Sequence, residues 1–64
     1  MQGKIKWFDH SKGFGFLIET ETKKEYFTHY TKTLDKVNEG DQVEFELEES
    51  KRGQIAINVK RVKQ

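Results

Sequence analysis

Residues 12–17 read "KGFGFL", and the direction in which this stretch points its rings decides what the chain builds. Phe14 and Phe16 are separated by a single glycine and preceded by a lysine. In an extended backbone successive side chains alternate between faces, so Phe14 and Phe16 share one side while Gly15 and Leu17 share the other. Burying a phenylalanine is worth about 1.5–3 kcal/mol, which draws the pair inward. Turned outward, the same rings form a flat apolar surface for a ligand. Alternation alone leaves both directions open.

The flanking segments are short and strand-like. "GKIKWFD" (3–9) precedes the motif and "EYFTHY" (25–30) follows it, divided from it by "HSKG" and "ETKK". In the third segment Phe27 and His29 share a face, opposite Tyr26, Thr28 and Tyr30. Histidine suits a dry core poorly without a hydrogen-bond partner. Further on, "QVEFELEE" (42–49) alternates Val43, Phe45 and Leu47 with glutamates, the pattern of a half-buried strand. "QIAINVKRV" (54–62) puts Ile55, Ile57 and Val59 on one side, after a turn carrying Gly53. These six apolar residues already fill a very small interior. The longest connection, "TKTLDKVNEGD" (31–41), predicts a single helical turn near Leu34 to Val37.

Five short strands without an amphipathic helix predict an all-β domain spanning residues 1–64. A closed or nearly closed small barrel is the best way to avoid exposed edges. An SH3-like barrel satisfies the same pattern, and periodicity does not separate the two. A chain of 64 residues buries only about 60% of its unfolded surface, so net stability is modest. Cysteine is absent, which removes disulfides and thiolate metal sites and fits a reducing cytosol. The start, "MQGKIKWFD", has no long apolar core and reads as neither signal peptide nor membrane span. A soluble cytoplasmic protein without membrane contact is expected.

Lys and Arg number 12 against 11 Asp and Glu, a net charge of +1, so bulk charge names no partner. Distribution is more informative. Lys4, Lys6, Lys12, Lys23 and Lys24 lie in the first half with most of the aromatic residues, and Glu44, Glu46, Glu48 and Glu49 in the second. A basic half bearing rings is what single-strand binders need, although solvated surface charge explains the lysines too.

Taken together, "GKIKWFD", "KGFGFL" and "EYFTHY" at this spacing closely resemble the bacterial cold-shock protein, or cold-shock domain, family. Lys12 to Leu17 match its first ribonucleoprotein motif, and Phe27, Thr28, His29 and Tyr30 match its second. Gly3 to Phe8 match its lead-in, and "EGDQVEFEL" and "RGQIAINV" its last two strands. The resemblance covers essentially the whole chain. It implies a five-stranded antiparallel OB-fold barrel with rings on the outside, binding single-stranded RNA or DNA, pyrimidine-rich by preference, as a monomer without cofactors. By this resemblance Trp7, Phe14, Phe16, Phe27, His29 and Tyr30 stack bases, while Lys6 and Lys12 contact phosphates. Lys4, Phe8, Asp9, Glu25 and Arg52 are secondary candidates, Glu25 as an acceptor from a base edge. The cellular role implied is RNA chaperone and regulator of antitermination or translation. Since Ile5 and Trp7 share parity, burying one and displaying the other requires a bulge near Trp7.

Several residues depart from the family pattern. The connection after Tyr30 is short and lacks an aromatic, Asp9 stands where Asn is common, and Ile55 where Gln is frequent. Tyr26 and Thr28 replace valines, so their hydroxyls need partners. No enzyme is expected: His10 and Ser11 are neighbours, yet nothing assembles a nucleophile, base and oriented acid. His10 reads as a turn residue, and His10 with His29 offers no metal spacing. The alternative is a small barrel that binds proteins through exposed rings.

Overall fold

Strict alternation along 42–49 and aromatic or β-branched clusters elsewhere give five strands: β1 (Gln2–Asp9), β2 (Phe14–Glu19), β3 (Glu25–His29), β4 (Gln42–Ser50) and β5 (Gly53–Arg61). The structure is a computed structural model that describes residues 1–62. Lys63 and Gln64, the end of the expected 1–64 domain, lie outside the described residues. The strands close into a barrel in the order β1-β2-β3-β5-β4, with β4 returning to β1.

Four of the five pairings are antiparallel, and the fifth, β3 with β5 through Phe27 and Ile55, is parallel. The five-stranded barrel implied by the resemblance is present, and the one departure from its expected antiparallel pairing, the parallel seam, has a topological reason. Strand direction cannot alternate all the way round a ring of five. The buried Thr28 hydroxyl donates to the Ala56 carbonyl (3.1 Å) across that seam, so the polar atom placed in the core has its partner.

Ile5, Leu17, Val37, Val43, Phe45, Ala56 and Val59 form the core, with Phe8, Tyr26 and Leu47 packed against it. Ile55 and Ile57 are only half-buried, on the side opposite Ala56, so the single-face reading of Ile55, Ile57 and Val59 fails. The cause is a bulge. Glu46 pairs with Ile57 but Glu44 with Lys60, three residues of β5 against two of β4. Asn58 takes up the extra residue with φ of 50°, and its Nδ2 donates to Glu46 Oε1 (3.1 Å). Asparagine tolerates this left-handed conformation better than most side chains. Ala56 and Val59 therefore both point inward, three residues apart.

The helical turn forms at Tyr30–Lys32, as a 3₁₀ turn, and not at Leu34 to Val37. His29 caps it, its ring nitrogen accepting from Thr31 N–H. Thr33 then forms a parallel bridge with Val59, and Leu34 N–H donates to Val59 O (2.7 Å). This extended path drops Val37 into the core and leaves Leu34 64% exposed.

The re-phasing at Asn58 predicts that Asn58→Gly is nearly neutral while Asn58→Val costs about 1–2 kcal/mol, the scale of a left-handed β-branched residue. Urea unfolding of the two variants measures the difference.

Candidate nucleic-acid interface

The outer face of β1–β3 depends on a register shift. Ile5 pairs with Leu17, yet Trp7 pairs with Phe16, which makes Lys6 the extra residue of a bulge in β1. Ile5 stays in the core, Trp7 turns outward beside Phe16, and Phe8 turns inward beside Gly15. The bulge required by the parity of Ile5 and Trp7 is present. Gly15 has no room for a side chain: a Cβ there would collide with the Trp7 carbonyl oxygen and lie 2.7 Å from the Phe8 ring.

Phe14, Phe16 and Phe27 lie half-buried on the side of their strands opposite Gly15, Leu17 and Thr28. Trp7 stands 5.4 Å from Phe16 and 5.8 Å from Phe14; Phe27 is 5.7 Å from Phe16 and 5.8 Å from Phe14, centroid to centroid. Tilted and edge-to-face contacts of this kind hold rings against one another. They therefore form one continuous patch. Ile55 extends it by lying in register with Phe27. His29 pairs with Phe14, and Tyr30 follows with its ring 4.6 Å from that of His29. The His29 Nδ1 takes bonds from Thr31, which sets the ring's orientation.

The charged candidates divide. Lys6 Nζ lies 3.2 Å from each carboxylate oxygen of Glu25, an exposed ion pair at the border of the patch. Lys12 is exposed, and its backbone N–H donates to Asp9 Oδ1 (3.1 Å). Lys4 is exposed on β1, in register with Ile18. Arg52 lies in the β4–β5 turn, its N–H donating to Ser50 Oγ (3.2 Å). Asp9 works inside its own loop. Its Oδ1 accepts from Ser11 N–H (3.0 Å), Ser11 Oγ (2.8 Å) and Lys12 N–H, and its carbonyl accepts from Gly13 N–H. These donors, the Ser11 hydroxyl first and the Lys12 amide next, hold the Asp9 carboxyl below the usual carboxylate range. Phe8 is likewise drawn toward the core, its ring 5.0 Å from His10.

The sequence reading placed Ile55 in the core, by an alternation that Asn58 interrupts, and took His10 for a turn residue; the Nε2 of His10 meets Asn38 Oδ1 at 2.9 Å. Among the described residues no group of three or more His, Cys, Asp or Glu side chains is placed to hold a metal ion.

The family model of the 'cold-shock' DNA-binding domain matches residues 1–62. The cold shock-like protein CspC of Buchnera aphidicola is 39% identical over 66 aligned positions, covering 92% of this chain and 91% of that protein. The cold shock-like protein CspB of Yersinia pestis is 42% identical, covering 92% and 90%. Among solved structures, "drosophila Unr CSD456" superposes with a TM-score of 0.80 at 32% identity. That match covers 97% of this chain but only 26% of the Drosophila chain.

The Asp9 loop carries a pH signature. Because the folded carboxyl titrates below its ordinary value of 3.8, its contribution to the loop is complete above that value and is lost as pH falls through the lower folded one. The Ser11 and Lys12 amide proton shifts are expected to titrate together with a midpoint below 3.8. Asp9→Asn, which keeps an acceptor oxygen, removes the titration but keeps the loop, and Asp9→Ala loses both. NMR of the three proteins decides it.

Proposed function

The chain belongs to the cold-shock domain family of nucleic-acid-binding domains, and from that premise we propose that it binds single-stranded RNA and DNA by stacking unpaired bases on its outer ring patch. The observation that carries this reading is the unbroken outward run of Trp7, Phe16, Phe14 and Phe27, with neighbouring centroids within 5.8 Å. An unpaired base has two flat faces, and stacking on an aromatic ring is worth about 1–3 kcal/mol per base. A duplex buries those faces already, so the patch selects for unpaired strands. Pyrimidine-rich strands are the proposed targets, with His29 and Tyr30 continuing the stack.

Lys6 and Lys12 contact phosphates in this reading, with Lys4 and Arg52 further out. The Lys6–Glu25 pair is exposed, and such pairs are worth about 0–1 kcal/mol. A phosphate can therefore take Lys6, leaving Glu25 free to accept from a base N–H. Asp9 serves the loop and Phe8 the floor beneath it, and neither is assigned a base on the ring patch.

Binding only unpaired strands shifts hairpins toward open forms by mass action, without chemistry. That is the basis for proposing an RNA chaperone that acts on transcription antitermination or translation; a monomeric state and a cytoplasmic location are proposed from the family resemblance alone.

Titration with oligothymidine is expected to quench Trp7 fluorescence, whereas a duplex of equal length leaves it unchanged. Phe27→Ala should weaken binding by about 1–3 kcal/mol, because its ring supports a base and not the core. Lys12→Gln should reduce the magnitude of the log–log salt slope by about 0.7, one phosphate of a single strand. Equal affinity for duplex and single strands would overturn the stacking reading.

A further inference from the structure

The register of the sheet carries the ring patch beyond its last aromatic residue. Across the barrel Trp7 pairs with Phe16, Phe16 with Phe27, Phe27 with Ile55, and Ile55 with Glu48. Along β2, β3, β5 and β4 the neighbours Leu17, Thr28, Ala56 and Leu47 turn to the core, so the paired residues share the outer side. Rings give way to an aliphatic side chain, and that to a carboxylate.

The glutamates around this row are not equivalent. Glu25 is held by Lys6, and Glu46 accepts from Asn58 Nδ2. Glu44 lies in register with Gln2 and Lys60, at the other end of β4, and Glu49 has the opposite parity. Glu48 is exposed, and its carboxylate has neither an ion pair nor a hydrogen bond with a described residue. Adjacent strands lie about 4.8 Å apart, so β4 runs roughly 10 Å from β3 with Ile55 between them. A base stacked on Phe27 with its edge over Ile55 and an extended glutamate side chain close that gap from opposite sides.

We propose that Glu48 reads this edge, accepting a hydrogen bond from the exocyclic amino group of cytosine, an assignment that rests on the single-strand reading above. The bound strand then has a cytosine preference at one position. Ring stacking accepts any base, whereas a carboxylate is selective because it only accepts hydrogen bonds. Cytosine presents its N4 donor where uracil and thymine present the O4 acceptor, so the pyrimidines meet Glu48 with opposite sign. Half-buried Ile55 shields one flank of this bond from water, which makes a missing donor costlier. Ile55 offers no hydrogen bond of its own from its side chain, and the choice between pyrimidines falls to Glu48. A carboxylate beside a polyanion needs compensation. Lys51 and Arg52, exposed in the turn just beyond Glu48, supply it.

The test takes the shortest oligodeoxyuridylate that saturates the patch and moves a single deoxycytidine through it, one position at a time. Uracil and cytosine differ only along the edge that faces Glu48, so the stacked area stays the same. Trp7 quenching reads the affinity of the full chain, of Glu48→Gln and of Glu48→Ala. The wild type should bind one of these strands about fivefold tighter than the all-uracil strand, the low end of base discrimination. The glutamine amide can accept from cytosine N4 or donate to uracil O4, so Glu48→Gln should bring the two strands within about twofold of each other. Glu48→Ala should do the same by removing the contact. A wild type with no preferred position, or a preference that survives in either variant, would overturn the role of Glu48. A Glu48→Gln that tightens every strand by one factor and keeps the preference would leave Glu48 as a repulsive charge and nothing more. Failure of the wild type to bind any of the strands would instead remove the stacking reading beneath it. Thermal unfolding of both variants, read by circular dichroism, checks that this exposed position leaves the barrel intact.

Discussion

One extra residue in β1 carries the rest of the molecule. Without the shift at Lys6, strict alternation would put Trp7 on the same side as Ile5, and the ring would have to enter an interior already filled by Ile5, Leu17 and Val43. With the shift, a single strand buries Ile5, displays Trp7 and returns Phe8 to the barrel. Gly15 answers from β2, since the close approach that the bulge produces leaves no space for a Cβ. The bulge at Asn58 does for β5 what Lys6 does for β1. It brings Val59 inward after Ala56 and leaves Ile55 outside, beside Phe27. Two inserted residues therefore divide the apolar side chains of a very short chain into two sets, one that holds the barrel together and one that faces out of it.

Rings facing water are a cost to a domain with so small a core, and the arrangement reduces that cost. Phe14, Phe16 and Phe27 are half-buried because each leans on a neighbour. Mutual contact removes part of their apolar area from water and restricts their rotamers before any ligand arrives. Ordering side chains on binding costs about 0.5–1.5 kcal/mol apiece, so rings already ordered make a better platform than free ones. The same economy shows at the border, where His29 is oriented by Thr31 and Tyr30 by Gly13.

Much of this was legible in the sequence, and the rest was hidden for identifiable reasons. Strands and turns followed from period-two alternation and from Gly53, and the bulge near Trp7 followed from the parity of Ile5 and Trp7. The outward direction of the rings did not follow from alternation, which is symmetric between faces; the family motif supplied it. The parallel seam was within reach, since counting strands around a closed ring forces it. The reversal of Ile55 was not, because a left-handed asparagine in the middle of a strand looks like any other polar residue. The turn at Tyr30–Lys32 was missed because a histidine cap and a bridge to Val59 outweighed the local preferences of Leu34 to Val37.

The charge distribution clarifies what kind of binder this geometry makes. A net charge of +1 gives almost no long-range attraction to a polyanion, and β4 carries a row of exposed glutamates. Of the two lysines at the patch, Lys6 is already paired with Glu25, so capturing a phosphate there exchanges one partner for another. Asp9 places a carboxylate in the loop that presents Lys12, and offsets part of that lysine's field. In the proposed mode of binding, the two lysines at the patch are each partly offset by a carboxylate, and base stacking supplies most of the affinity. That balance suits selection of unpaired strands. Electrostatic attraction does not distinguish paired from unpaired strands, whereas stacking on a ring requires an uncovered base.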